Sequence, residues 1–185
     1  LGQISADLLD VPAVRLYHDN VLAKQAGCGR TPWHFDDHHF PLDTNDVVTA
    51  WVPAQPIPLE MGPLTFAYPL DVHELVNAVT FEKTGTGYDR GVSDVFSKNN
   101  VSVNETPFEL GEVSFHHNLN FHTASSNRTN RSRVALANTY YRDGARVVNA
   151  PTMVSGDWQK FMPNVKPGDV AASPLNPICW PVKDK

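Results

Sequence analysis

The chain has 185 residues, of which 41% are hydrophobic and 19% charged, a composition that fits one soluble globular domain and excludes a disordered protein. Its net charge is -5 and it contains no lysine- or arginine-rich block, so neither nucleic acid nor an anionic membrane is a predicted partner. No apolar run approaches the ~20 residues that are needed to cross a bilayer.

The pattern along the chain predicts a mainly β protein. Short apolar runs rich in β-branched and aromatic residues alternate with turns that contain proline or glycine. The predicted strands are 13–23, 46–55, 62–69, 111–122 and 132–148. Only Leu8 and Leu9, and residues 71–79, offer a helical alternative, and both stretches are short. Many short strands separated by turns are typical of a sandwich, a barrel or a jelly roll.

Residues 82–107 are polar, contain glycine and show little periodicity, which predicts a long loop. Such a loop is either a lid or inserted segment beside a binding site, or a surface loop without a role. The tail, 163–183, is rich in proline and is predicted to run extended against the body of the protein. Since no repeat or linker composition divides the chain, residues 1–185 are predicted to form one domain.

Cys28 and Cys179 are far apart in the sequence and lack the CxxC spacing of a metal site. Two free thiols, as in an intracellular protein, are therefore the prediction. From Leu1 onward the sequence shows no targeting segment, and a cytoplasmic location is the expectation.

The stretch "TPWHFDDHHF", residues 31–40, concentrates histidine and aspartate. On a strand, His34 and Asp36 point to one face and Asp37 to the other. An imidazole and a carboxylate that project together supply two of the three ligands of a 2-His-1-carboxylate iron site. The candidates for the third ligand are His73, His116, His117 and His122. Because His116 and His117 alternate along a predicted strand, at most one of them is expected to face the site.

Arg133 follows His122 by eleven residues and begins a predicted buried strand. A buried guanidinium keeps its charge and needs an anionic partner, which a dicarboxylate cosubstrate would provide. The alternative is a surface arginine that pairs with a local carboxylate.

In order and spacing, four segments resemble the phytanoyl-CoA dioxygenase family of Fe(II)- and 2-oxoglutarate-dependent oxygenases. The segments are "WHFD" (33–36), "VVTAWVPAQP" (47–56), "MGPLTFAYPLDVHE" (61–74) and "GEVSFHHNLNFHTASSNRTNRSRVALANTYY" (111–141). The ending "KPGDVAASPLNPICW" is also similar to the tail of many family members. The resemblance implies an all-β core, a double-stranded β-helix of the jelly-roll or cupin-like kind, with a few peripheral helices.

The resemblance also implies the residues of the site. His34, Asp36 and His122 would hold the iron and form the catalytic centre. Arg133 would bind the distal carboxylate of 2-oxoglutarate, and Trp51, Lys24 and Thr31 would lie against the same cosubstrate. Asn127 would shape a turn rather than touch a ligand.

The implied reaction is hydroxylation of a small-molecule metabolite, with dioxygen as co-reactant. Related halogenases lack the carboxylate, so the presence of Asp36 favours oxygen insertion or a related oxidation over halogenation. Two departures stand out: "PLDVH" (69–73) replaces the usual P-G-S-H of the family, and much of the family's N-terminal helical region is missing. Two other classes stay open, namely a cupin-like metalloenzyme that does not use 2-oxoglutarate and a non-catalytic jelly-roll binding module.

Overall fold

Two antiparallel β-sheets face each other in the computed structural model, which describes residues 1–82 and 86–181. The strands in these ranges are β1 (Val14–Lys24), β2 (Thr31–His34), β3 (Val47–Pro53), β4 (Leu64–Tyr68), β5 (Ser102–Glu105), β6 (Ser114–His117), β7 (His122–Ala124), β8 (Arg133–Arg142) and β9 (Ile178–Trp180). The five-stranded sheet has the order β6-β3-β8-β1-β9, and the four-stranded sheet has the order β2-β7-β4-β5. Apart from β4–β5 and β8–β9, successive strands thus lie in opposite sheets, and the predicted jelly roll is confirmed.

Strands β3 and β8 lie inside the larger sheet, and most of their side chains are buried on both faces. Of β3, every residue but Val52 is buried. One face of this sheet packs around Trp51, which contacts Phe108 with a ring-centroid distance of 5.0 Å. Tyr141 on β8 packs instead into a second apolar cluster, with Tyr17 and Trp158. The space between the sheets is therefore bounded by rigid, well-packed strands.

The predicted strand 111–122 is divided in two. A turn separates β6 from β7, closed by a hydrogen bond from Asn120 N to His117 O at 2.9 Å. The other predicted strands match β1, β3 and β4 within a few residues. The predicted strand 132–148 matches β8 at its start, but β8 already ends at Arg142.

The prediction of a long loop at 82–107 is wrong for most of that range. Helix α3 spans Gly87–Asn99, and β5 follows it and pairs with β4. The helix forms because Tyr88, Val92 and Phe96 recur at helical spacing and face the protein, although polar residues outnumber them. Residues 83–85 lie outside the described part of the chain, and the role of a lid stays a prediction.

Helix α3 packs behind β2. Tyr88 Oη donates a hydrogen bond to Trp33 O at 2.9 Å, and the Phe96 ring meets the Trp33 ring edge-on at 5.1 Å. Trp33 in turn stacks on Phe121 at 5.4 Å. These contacts fix β2, the strand that carries His34, from its outer side.

The remaining helices are peripheral, as predicted. Helix α1 spans Gly2–Leu9, longer than the two leucines that indicated it, and α2 spans only Val72–Leu75. Within the described ranges, every helix is too short or too polar to cross a bilayer. Cys28 and Cys179 are both free thiols, in agreement with the prediction.

Candidate metal centre and the cavity around it

His34, Asp36 and His122 meet between the two sheets. His34 ends β2 and pairs directly with His122, which begins β7. Asp36 Oδ1 lies 3.7 Å from His34 Nε2 and 3.9 Å from His122 Nε2. One potential ligand atom from each residue lies within 4.8 Å of the others, which is compact enough for a single metal ion.

A turn, and not strand alternation, brings Asp36 to the site. β2 ends at His34, and the backbone of Asp36 has turned to φ -90° and ψ -15°. The turn is held because Asp36 N donates to Asn118 O at 2.8 Å. Asp37 faces away as predicted, since its Oδ1 accepts a hydrogen bond from Asn118 Nδ2 at 2.8 Å.

Backbone carbonyls fix the protonation of both histidines. His34 Nδ1 lies 2.8 Å from Pro32 O, and His122 Nδ1 lies 2.9 Å from Asn120 O. A carbonyl oxygen only accepts, so Nδ1 carries a proton in each ring and Nε2 is the nitrogen turned towards Asp36, where a metal ion would bind. Burial lowers the pKa of His122 to about 3, and the ring is therefore neutral, as a metal ligand must be.

His116 approaches the same carboxylate from the opposite side. It lies on β6, is buried, and places Nε2 at 3.7 Å from Asp36 Oδ2. Burial alone would raise the pKa of Asp36, whereas a proton on His122, His116 or His34 lowers it, and the net effect is a pKa well below the usual range of an aspartate. Asp36 is thus an ionised carboxylate with one oxygen towards His34 and His122 and the other towards His116.

The other histidines considered from the sequence lie elsewhere. The His73 ring packs against Phe35 at 4.9 Å, and His117 Nδ1 accepts a hydrogen bond from Leu119 N at 3.2 Å. His38 is exposed, and His39, also exposed, lies at the rim of the cavity described below. As expected from alternation, only one of the neighbours His116 and His117 faces the site.

Two buried cations lie at the other end of the space between the sheets. Lys24 on β1 and Arg133 on β8 are directly opposed in the strand register. Lys24 Nζ donates to Ser125 O at 2.8 Å, to Ala124 O at 3.1 Å and to Thr31 Oγ1 at 3.3 Å. Arg133 Nη1 donates to Gly62 O at 2.7 Å, and its Cζ lies 5.3 Å from the centre of the Trp51 ring.

The paired cations Lys24 and Arg133 have no carboxylate partner among the described residues. Within residues 1–82 and 86–181, neither Lys24 nor Arg133 forms an ion pair with a carboxylate. Arg133 Nε and Trp51 Nε1 are buried donors without a hydrogen-bond partner in the same ranges. Burial, with the nearby Arg133 charge, lowers the pKa of Lys24 to about 8. Like charges opposed across a ladder are unfavourable, so an anionic ligand is the missing partner that this geometry calls for.

One cavity of about 530 Å³ connects the metal centre and the cations. It is lined by every residue that the sequence resemblance assigned to the metal or the cosubstrate, namely Lys24, Thr31, His34, Asp36, Trp51, His122 and Arg133. His116 and three polar residues that the sequence did not single out, His18, Thr49 and Thr139, line it as well. Asn127 lies outside it and shapes a turn, its Nδ2 donating to Lys24 O, Gln25 O and Arg131 O.

Comparison with known proteins places this site in a family. The sequence profile of phytanoyl-CoA dioxygenase (PhyH) matches residues 2–135, which include both ends of the cavity. The chain belongs to the phytanoyl-CoA dioxygenase family. The resemblance seen in the sequence is thereby confirmed, whereas no curated protein sequence matches the chain.

Solved structures share the fold of this phytanoyl-CoA dioxygenase family member. The α-ketoglutarate-dependent carbocyclase SnoK of nogalamycin biosynthesis matches with a TM-score of 0.72 and 24% identity, over 95% of this chain and 65% of its own. The epimerase SnoN of the same biosynthesis matches with a TM-score of 0.70 and 20% identity, over 95% and 66%. The chain thus spans about two thirds of the length of these proteins. SnoN in complex with Fe3+, α-ketoglutarate and nogalamycin RO matches with a TM-score of 0.69 and 21% identity, over 95% and 68%.

Proposed function

We propose that this chain forms the catalytic domain of a non-haem Fe(II)- and 2-oxoglutarate-dependent oxygenase that acts on a small-molecule metabolite. The observation that carries the proposal is the convergence of His34, Asp36 and His122. Two imidazoles that turn Nε2 towards one carboxylate are the donor set of the facial triad, which suits Fe(II) and leaves other coordination positions open.

The cation pair supports 2-oxoglutarate as the cosubstrate. Arg133 would bind its distal carboxylate, because a guanidinium fork matches the two carboxylate oxygens. Lys24 would add a second charge, Thr31 would position the Lys24 ammonium group, and Trp51 would pack against the carbon chain. SnoN, a structural relative, has been solved with α-ketoglutarate and Fe3+.

With iron and 2-oxoglutarate bound, the centre would supply oxidation of the substrate at the expense of dioxygen and cosubstrate. The protein's own part is to hold three ligands in place, to neutralise the cosubstrate and to orient the substrate C–H bond. Hydroxylation is the outcome we propose, since Asp36 occupies the position that a halide takes in halogenases.

A second candidate outcome is favoured by the solved relatives, which are named a carbocyclase and an epimerase. Mass spectrometry of the product distinguishes hydroxylation from carbocyclisation and from epimerisation. Hydroxylation adds one oxygen atom, carbocyclisation removes two hydrogen atoms, and epimerisation leaves the mass unchanged.

Anaerobic titration tests the cofactors directly. Fe(II) and 2-oxoglutarate added to the purified protein should give a visible charge-transfer band, and admission of air should then yield succinate. Metal binding without a band would favour a cupin-like enzyme that does not use 2-oxoglutarate. Loss of both metal binding and band would favour the non-catalytic binding module.

A further inference from the structure

Four polar side chains form one row across the larger sheet. His18 on β1 is opposite Thr139 on β8, Thr139 is opposite Thr49 on β3, and Thr49 is opposite His116 on β6. All four line the cavity, and two of them, Thr49 and Thr139, share a hydrogen bond of 3.0 Å between their hydroxyl oxygens. Four neighbouring strands span three spacings, about 14 Å, so the row runs along most of one cavity wall.

The ends of the row have unused hydrogen-bonding atoms. Nδ1 of His18 and Nδ1 of His116 are both buried, and neither has a hydrogen-bond partner within the described residues. Since Asn20 Nδ2 donates to His18 Nε2 at 3.5 Å, the proton of His18 lies on Nδ1, which is therefore a free donor. Nε2 of His116 faces Asp36 Oδ2 at 3.7 Å, which leaves Nδ1 as the ring nitrogen of His116 that is open to a ligand.

The two buried cations are remote from this row, and the one ionised carboxylate beside it, Asp36, faces Nε2 of His116 and not Nδ1. In the strand register, Lys24 and Arg133 lie three inward-facing positions away, beyond the pairs Asn20–Ala137 and Leu22–Ala135. Burial lowers the pKa of His18, so that its ring is neutral at pH 7. The open groups of the row are hydroxyl and imidazole groups, which pair well with uncharged polar groups, whereas an isolated charge would lose its solvation there without meeting one of the two cations.

We propose that the row His18–Thr139–Thr49–His116 is the substrate-binding surface, and that it takes an uncharged, elongated molecule with hydroxyl or carbonyl groups at both ends. An oxygen acceptor would receive the His18 Nδ1 proton, and a hydroxyl at the other end would hydrogen-bond to His116 Nδ1. The inference rests on the proposed function, because the row becomes a substrate site only beside a metal centre. The residues that bind the cosubstrate are separate from it.

The test uses a neutral probe and a charged probe of the same frame. p,p′-Biphenol carries an uncharged hydroxyl at each end, and p,p′-biphenyldicarboxylate carries a charge there. Their affinities are measured by ligand-observed NMR on the protein loaded with Zn(II) and 2-oxoglutarate. We expect the biphenol to bind more tightly, and His18→Leu and Thr139→Val each to weaken its binding about tenfold, the value of one or two lost hydrogen bonds.

Matched variants separate recognition from folding. His18→Asn keeps an N–H donor near the position of Nδ1 and should restore most of the affinity, whereas Val21→Ala, at an exposed position of the same strand outside the cavity, should bind the probe like the wild type. The proposal is overturned if the biphenol does not bind, if the dicarboxylate binds as tightly, or if His18→Leu binds like the wild type.

The outcomes also separate this inference from the proposed function. A charge-transfer band with Fe(II) and 2-oxoglutarate but no biphenol binding would contradict the proposed substrate-binding row and leave the proposed oxygenase function intact. Biphenol binding that depends on His18, without metal binding or a band, would contradict the oxygenase while leaving a neutral-ligand site.

Discussion

His116 and Asp36 contact each other across the gap between the two sheets. His116 Nε2 lies 3.7 Å from Asp36 Oδ2, while Oδ1 of the same carboxylate faces His34 and His122. The contact therefore selects which oxygen is offered to a metal ion. It also links the larger sheet to the turn that follows β2.

The first prediction concerns this contact. His116→Leu removes the ring that orients Asp36 and should weaken Co(II) or Fe(II) binding by about 10- to 100-fold, the usual effect of losing a side chain that supports a metal ligand. His116→Gln retains an N–H group at a similar reach and should recover much of the affinity. Metal titration followed by the Co(II) absorption spectrum measures both. His117→Gln is the matched control, and an equal loss in that variant would contradict an orienting role.

The second prediction concerns the carboxylate itself. Asp36→Ala should show no metal binding at concentrations that saturate the wild type, because two imidazoles alone make a weak site. His38→Ala, in the same segment but exposed, should bind metal normally. Metal content after gel filtration gives the comparison, and normal loading of Asp36→Ala would exclude this aspartate as a ligand.

The third prediction separates the two ends of the cavity. Arg133→Ala should raise the 2-oxoglutarate concentration for half-maximal charge-transfer absorption by about 10- to 100-fold, since a hydrogen bond to a charged group contributes roughly 1.5–3 kcal/mol. Metal content should stay near normal. Arg131→Ala, two residues earlier and exposed, is the control. If Arg133→Ala loses iron in equal measure, the guanidinium is structural instead.

The fourth prediction is a pH dependence. Because the pKa of Lys24 in the free protein is about 8, its ammonium group is charged below that pH and neutral above it. The affinity for 2-oxoglutarate should therefore fall as the pH rises through 8. Lys24→Arg keeps the charge at every accessible pH and should abolish the decline. An unchanged decline in Lys24→Arg would assign it to another group.

Lys24 also makes the stability of the fold depend on pH, in the direction opposite to that of the affinity for 2-oxoglutarate. Its folded-state pKa lies below the unfolded value of about 10.4. The unfolded chain thus binds more protons between these two values, and the contribution of Lys24 to stability rises with pH across that window. Urea unfolding of the ligand-free protein at pH 8 and pH 10, beside Lys24→Met, measures this contribution.

Local sequence patterns predicted much of this protein. Runs of mainly apolar residues predict the strands β1, β3, β4 and β8. The resemblance to known oxygenases predicts His34, Asp36, His122 and Arg133 as site residues. The convergence of His34 and Asp36 was predicted for the wrong reason, because the turn at Asp36 depends on a hydrogen bond to Asn118, which is remote in sequence.

Other features depend on contacts that no local pattern carries. The periodicity of α3 was hidden by polar residues, and its helix is decided by packing on Trp33 and Phe121. The row from His18 to His116 exists only through the register of non-consecutive strands. Neither threonine of that row has a distinctive sequence context, so the register alone gives them a role.

The direct pairing of His34 with His122 has a mechanical consequence. β2 is the edge strand of its sheet and has only four residues, so few backbone hydrogen bonds hold it to β7. A metal ion bound to both imidazoles would act as a crosslink between these strands, in parallel with the ladder. Amide protons of β2 should then exchange with solvent much faster in the apoprotein than in the metal-loaded protein, and the edge of the sheet would become ordered as the centre is assembled.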